Sequence, residues 1–110
     1  MSVHTELLKK IIKKHKLDED NILYKGLALN RVNNKMFLYV ITSNELILSD
    51  GKKFNRVIDL DSIKELSIKQ LDAFTYEAFI QSTETQERFI LLEHEAFDRF
   101  FEGFKKVTTE

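Results

Sequence analysis

The chain has 110 residues, of which 43% are hydrophobic and 32% charged, with no cysteine and no proline. This length supports one hydrophobic core and not two, and the composition is typical of a folded globular protein. The absence of cysteine excludes disulfides, thiolate metal sites and a cysteine nucleophile. Because neither a signal peptide nor a spanning segment is recognisable, we expect a cytoplasmic protein.

The net charge of −1 is unevenly distributed along the chain. Residues 1–16 contain five lysines against one glutamate, a charge of +4, so the remaining residues carry −5. Neutralisation of phosphates supplies most of the non-specific affinity for nucleic acid, and an acidic main domain lacks the charge for it. We therefore expect no nucleic-acid binding, and only the N-terminal segment can attract anions.

Residues 3–16 predict an amphipathic helix, because apolar residues occupy about half of a helical wheel and lysines the other half. Residues 17–21 favour caps and turns and end it. We predict that residues 1–17 pack on the main domain, residues 18–110, or on a partner. His15 lies within the apolar arc, and we interpret it as a half-buried histidine near the helix end. The apolar arc consists of Val3, Leu7, Leu8, Ile11 and Ile12.

From residue 22 onward, short runs of β-branched and aromatic residues are separated by turn residues, the pattern of an antiparallel meander. In the sixth run Phe74, Tyr76, Ala78 and Ile80 alternate with mostly polar residues, which indicates a sheet with one apolar face. Seven strands can cover such a face by bending into an open barrel or into two orthogonal sheets. The predicted strands are 22–32, 35–42, 45–49, 54–60, 63–71, 74–82 and 87–92.

The last segment predicts a second amphipathic helix, with a phenylalanine-rich face that covers the sheet. Acidic residues lie near its start and Lys105 and Lys106 near its end, as the helix dipole favours. Its apolar face consists of Ala96, Phe97, Phe100, Phe101, Phe104 and Val107. The sequence thus predicts an α+β, mainly β fold: an N-terminal helix, seven antiparallel strands and a closing C-terminal helix.

Three stretches carry a further pattern: FLYVITSNELIL at 37–48, VIDLDSIKEL at 57–66, and RFIL at 88–91 before the last helix. The first resembles the second hairpin of bacterial pleckstrin-homology-like domains of the GRAM type, and the second resembles their strand-to-strand corner. The resemblance covers about residues 21–107 and implies a pleckstrin-homology-like fold. In lipid-binding members, basic residues of the first hairpin bind headgroup phosphates, and the matching positions here are Lys25, Arg31 and Lys35.

No set of residues in the sequence has the pattern of a catalytic centre. His94 and Asp98 are spaced i, i+4 on one helix face, but two ligands are fewer than zinc takes. We therefore expect no enzyme, no metal and no cofactor. The expected function is binding of a protein or peptide, or self-association, along an exposed strand edge or through the N-terminal helix.

The alternative function is that of a peripheral membrane adaptor. A basic amphipathic helix can lie on an anionic membrane, and each lysine near the surface contributes about 1 kcal/mol. Such an adaptor would use the N-terminal helix together with Lys25, Arg31 and Lys35. Solvated surface charges are the competing interpretation of these residues. The helix lysines concerned are Lys9, Lys10, Lys13 and Lys14.

Overall fold

The computed structural model describes residues 3–108, and the side chains of residues 6–104. The predicted order of helices and strands is confirmed, with two short 3-10 turns added at Glu19–Asn21 and Leu60–Ser62. The side chains of Val3, Lys105, Lys106 and Val107, which the periodicity assigned to helix faces, lie outside the described part. The elements are α1 (Val3–His15), β1 (Ile22–Leu29), β2 (Met36–Thr42), β3 (Glu45–Ser49), β4 (Asn55–Asp59), β5 (Ile63–Gln70), β6 (Tyr76–Ser82), β7 (Gln86–Leu91) and α2 (Glu95–Thr108).

The strands form one antiparallel sheet in the order β4-β3-β2-β1-β7-β6-β5. Its two outermost strands, β4 and β5, are consecutive in the chain and are joined only by the turn Leu60–Ser62. The sheet therefore curls until its two ends approach each other at this turn. The Leu60 N–H donates to the Asn44 carbonyl at 2.9 Å, and the Thr83 N–H donates to the Ser62 carbonyl at 3.0 Å. These two bonds fix the corner.

The inner face of the curled sheet holds the main core, and α2 covers it. Phe97 and Phe100 are buried against side chains from the strands, while Phe101 and Phe104 are half-buried beside them. Each fully buried phenylalanine contributes about 1.5–3 kcal/mol. The predicted closing role of the phenylalanine-rich face is therefore confirmed.

Tyr39 connects the sheet to the start of α2. Its hydroxyl donates to the Glu93 carbonyl at 2.5 Å and accepts the Phe97 N–H at 3.3 Å. Burial raises the pKa of this hydroxyl well above its ordinary value, so the phenol keeps the proton that it donates. Gly26 is its cross-strand neighbour, and a Cβ there would lie 2.1 Å from the Tyr39 hydroxyl oxygen. The tyrosine reaches the helix because position 26 has no side chain.

The outer face of β2 and β3 is covered by α1. Leu8 and Ile11 pack against Leu38, Val40 and Ile47, all of which are buried. Because alternate residues of β2 face the inner core and the helix, β2 is buried on both faces. This explains why its sequence is a continuous apolar run. In this chain α1 packs in cis on the sheet.

Two predicted strand ends are wrong, and in both places a turn replaces the strand. Val32 lies in the β1–β2 turn, where its N–H donates to the Asn30 side chain at 2.8 Å. Phe74 was predicted on the apolar face of β6, yet it is 90% exposed. The Asp72 carboxylate accepts the Phe74 N–H at 2.8 Å, which lowers the pKa of Asp72 and forms the turn before β6 begins.

Two glycines provide a test of this packing. Gly26→Ala is expected to destabilise the protein by about 3 kcal/mol, because the methyl group overlaps the Tyr39 ring. Gly103→Ala is expected to stabilise it by about 0.5–1 kcal/mol, because alanine favours the helix and nothing lies within 4 Å of the added Cβ. Urea denaturation of both variants measures the difference. Changes of the same sign would contradict this packing.

Candidate functional site

The outer edge of β5 has no hydrogen-bonded neighbour within the described residues. The strand has eight residues, Ile63–Gln70, and the opposite outer strand β4 has five. Unpaired backbone groups along an edge can accept a strand from another chain. Because the chain contains no proline, every residue of this edge keeps its N–H. β5 is thus the longer of the two surfaces where the sheet can be extended.

The hydrogen bonds of β5 show which of its backbone groups face outward. In an antiparallel pair, alternate residues exchange both backbone bonds with the neighbouring strand. The Leu71 N–H donates to the Thr75 carbonyl at 2.8 Å, so the backbone groups of Leu71, an odd-numbered residue, point toward the β6 side. From Glu65 onward the register with β6 is regular, so odd-numbered residues bond to β6. The free edge therefore presents the backbone groups of Leu66, Ile68 and Gln70.

An apolar groove opens beside the start of β5. It has a volume of about 460 Å³ and lies between the corner turn and α2. The Phe100 ring forms its aromatic side, with ring centroids 6.2 Å from Tyr24 and 6.0 Å from Phe104. The groove can therefore take an apolar side chain. Its lining residues are Tyr24, Ser43, Leu60, Asp61, Ile63, Phe100, Gly103 and Phe104.

Gly103 is the lining residue that the sequence could have indicated. A glycine in the interior of a helix costs about 0.5–1 kcal/mol relative to alanine. It interrupts the otherwise strong amphipathic pattern of α2, and no crowding by the described residues requires it. The groove could not be predicted from the sequence, because its other walls come from segments that are distant in the chain.

The other surfaces proposed for recruitment are less available. The apolar face of α1 is already occupied by the sheet, through Leu8 and Ile11. The β4 edge is short, and Arg56 on this strand forms an ion pair of 3.4 Å with Glu87 of β7. The β6–β7 turn lies beside the end of β4, with a cleft between them lined by Val57, Asp59, Thr83 and neighbouring residues.

The three basic residues predicted around the first hairpin do not share one site. Lys25 is exposed on β1 opposite Val40, roughly 13 Å along the strand from the hairpin end at about 3.3 Å per residue. Arg31 forms an ion pair with Glu77 on β6. Lys35 borders a cleft near α1. Their role in ligand binding stays a prediction.

That cleft brings together lysines from three segments. It has a volume of about 450 Å³, and Lys10 of α1, Lys35 and Lys52 border it together with Glu6 and Asp50. Lys9, Lys13 and Lys14 are exposed on α1 as well, and the Lys14 ammonium donates to the Lys52 carbonyl at 2.7 Å. Lys52, which lies in the β3–β4 turn, was not among the residues predicted from the sequence.

Two histidines have structural partners. His94 Nδ1 lies 2.6 Å from the Asp98 carboxylate, and its ring stacks on Tyr76 with centroids 4.2 Å apart. Among the described residues, no third histidine, cysteine or carboxylate joins them to form a metal-binding group. His15 is half-buried, and its Nε2 lies 3.2 Å from Asn55 Oδ1. Both arrangements fix the ends of helices against the sheet.

No protein-family model matches the sequence, and no curated protein matches it. Over residues 3–108, neither helix combines the length and apolar content needed to cross a membrane.

Proposed function

We propose that this protein is a non-catalytic binding module that takes up an extended segment of a protein partner along β5. The observation that carries the proposal is the free β5 edge, which begins at an apolar groove. Strand addition gains affinity from main-chain hydrogen bonds and specificity from pockets for individual side chains. The groove between the corner turn and α2 would supply such a pocket.

We further propose that residues 18–110 form a cytoplasmic pleckstrin-homology-like domain of the bacterial GRAM type. Support comes from the seven antiparallel strands followed by one covering helix, the order that the sequence resemblance implies. In this proposal α1 is an addition to the minimal domain. It buries the outer face of β2 and β3, and that leaves the β5 end of the sheet as the recruiting surface.

The energetics favour a moderate affinity. Leu66, Ile68 and Gln70 each offer one N–H and one C=O, and a net hydrogen bond contributes about 0.5–1.5 kcal/mol. An apolar side chain seated in the groove adds about 1.5–3 kcal/mol. The entropy lost on association costs about 4 kcal/mol or more, so these terms predict a dissociation constant of about 1 µM at the tightest.

A peripheral membrane adaptor is the second candidate, favoured by the placement of the lysines. Lys9, Lys10, Lys13 and Lys14 are all exposed on α1, and Lys10, Lys35 and Lys52 border one cleft. Because Leu8 and Ile11 are buried against the sheet, the described part of the helix turns its lysines, and not its main apolar face, to solvent. Contact with anionic lipid would then be electrostatic only.

Selection from a random-peptide display library tests the first function, with the full chain immobilised at low density so that copies do not meet. The selected peptides are expected to alternate apolar and polar residues. Gly103→Leu should weaken their binding at least about 10-fold, because the added side chain enters the groove. Glu102→Leu is the matched control, since Glu102 is exposed on the same helix but does not line the groove. Fluorescence anisotropy with labelled peptides measures both.

Peptides that bind both variants equally well would contact another surface, and the proposal would then be wrong. A library that yields no binder would also contradict it. The Gly103→Leu variant is expected to fold, because open space surrounds the new Cβ, and its thermal unfolding checks this.

Sedimentation with vesicles that contain phosphatidylserine tests the second function. If the lysines act together, the chain binds at low salt, and reversal of Lys9, Lys10, Lys13 and Lys14 to glutamate weakens binding more than about 100-fold. Reversal of Lys64 and Lys69, both exposed on β5, is the control and should have a smaller effect because they lie on another element. Absence of wild-type binding at low salt would exclude this function.

A further inference from the structure

The charges on the β5 edge are arranged so that the strand is complementary to itself. From Glu65 to Gln70 the register with β6 is regular, and the odd-numbered side chains Glu65, Ser67 and Lys69 share the outer face of the sheet. In this stretch, Glu65 and Lys69 are the only charged residues on the outer face, and each lies two residues from Ser67. A second β5, antiparallel and centred on Ser67, would place Glu65 opposite Lys69 twice.

The backbone groups favour the same pairing. Antiparallel pairing about Ser67 places Leu66 opposite Ile68, and these are residues whose N–H and C=O groups face the free edge. This pair occurs twice in the dimer, and each pair can exchange two hydrogen bonds. Glu65 and Lys69 then form non-hydrogen-bonded pairs, in which cross-strand side chains approach most closely. The small side chain of Ser67 lies at the two-fold axis.

Other registers lose this complementarity. Antiparallel pairing centred on Leu66 places Glu65 opposite Ser67. Pairing centred on Ile68 places Glu65 opposite Leu71. Neither forms the two ion pairs. Charged residues on an edge normally discourage strand addition. Here they would discourage arbitrary strands and attract one particular partner.

Both charged side chains are available for such a partner. Among the described residues, neither Glu65 nor Lys69 takes part in an ion pair. Lys69 has Glu77 as its cross-strand neighbour on β6, but that carboxylate already contacts Arg31 and lies 3.8 Å from Arg88. Ion pairs among residues 6–104 therefore do not neutralise the charges of the edge.

The exposed β5–β6 turn fits this arrangement. In the register centred on Ser67, the β5–β6 turn of one copy lies at the level of the start of β5 in the other, where Ile63 lines the apolar groove. Leu71 is 43% exposed, and Phe74 at the tip of the same turn is 90% exposed. Isolated exposed aliphatic residues are common, but a phenylalanine held outward by a fixed turn can fill a pocket. The turn of each copy would then lie at the groove of its partner.

We infer that the strand taken up by β5 is the β5 of a second copy of this chain, paired antiparallel about Ser67. This inference rests on the proposed function and names its partner. The resulting dimer is a continuous sheet across a two-fold axis, with Phe74 of each copy near the groove of the other. Its ion pairs are exposed, so salt weakens the association.

A charge-swap series tests the inference, by sedimentation velocity of the full chain over a range of concentrations at low ionic strength. The wild-type chain is expected to dimerise reversibly. Glu65→Lys alone and Lys69→Glu alone each replace two attractive pairs with two repulsive ones, and should weaken dimerisation roughly 10- to 100-fold. The double variant restores both pairs and should dimerise like the wild type. An equimolar mixture of the two single variants should form a heterodimer.

Two control variants and one further test variant complete the series. Lys64→Glu carries the same charge change as Lys69→Glu on the same strand, but Lys64 lies at the irregularity before Glu65 and outside the two inferred ion pairs, so dimerisation should persist. Phe74→Ser should weaken dimerisation at least about 10-fold, whereas Val32→Ser, at an equally exposed turn residue, should not. Circular dichroism checks that each variant is folded, as expected for exposed positions.

A wild-type chain that stays monomeric at every concentration would overturn the inference. A dimer that resists both single reversals would overturn it too, because its contact would lie elsewhere. If the chain is monomeric but library peptides bind in a Gly103-dependent manner, the second copy is excluded while strand uptake at β5 stands. If the chain stays monomeric and no library peptide binds in a Gly103-dependent manner, both the proposed function and the inference are wrong.

Discussion

The fold depends on one hydroxyl group, that of Tyr39, which connects the centre of the sheet to the start of the covering helix. It donates to the Glu93 carbonyl and accepts the Phe97 N–H, and so satisfies backbone groups on both sides of the point where β7 gives way to α2. Around it, the rings of Phe89, Phe97 and Phe100 pack edge to face. Gly26 gives the phenol room to reach the helix. The position of α2, and with it one wall of the apolar groove, follows from this contact.

The free edge is a consequence of the same architecture. Because the outermost strands β4 and β5 are joined by three residues, the sheet curls and its ends meet at one corner. α2 covers the inner face, α1 covers the outer face of β2 and β3, and the Arg56–Glu87 ion pair connects β4 to β7. What the described residues leave open is the length of β5 beyond that corner, beside the groove. The proposed binding surface is the strand edge that the described elements leave uncovered.

Much of this fold could be predicted from the sequence, and the exceptions have physical causes. The apolar periodicity of α1 and α2 and the alternation in the strands are local signals, and they located both α-helices and all seven strands. The pairing of β1 with β7 is not local, so neither the free edge nor the groove could be located beforehand. Phe74 was wrongly assigned to β6, because the turn at Asp72 overrides the β propensity of phenylalanine. Lys25, Arg31 and Lys35 were grouped because they match the first-hairpin positions of the resembled family, whereas Arg31 faces Glu77 on a distant strand.

The measurement that tests the central claim most directly is amide hydrogen exchange along β5, followed by NMR in dilute solution. If the edge is open, the amides of Ser67 and Lys69 are protected by β6, while those of Leu66, Ile68 and Gln70 exchange rapidly with solvent. At higher concentration the Leu66 and Ile68 amides should become protected as a strand is taken up. Equal protection of all five amides in the dilute chain would show that the edge is already covered, and would contradict the account.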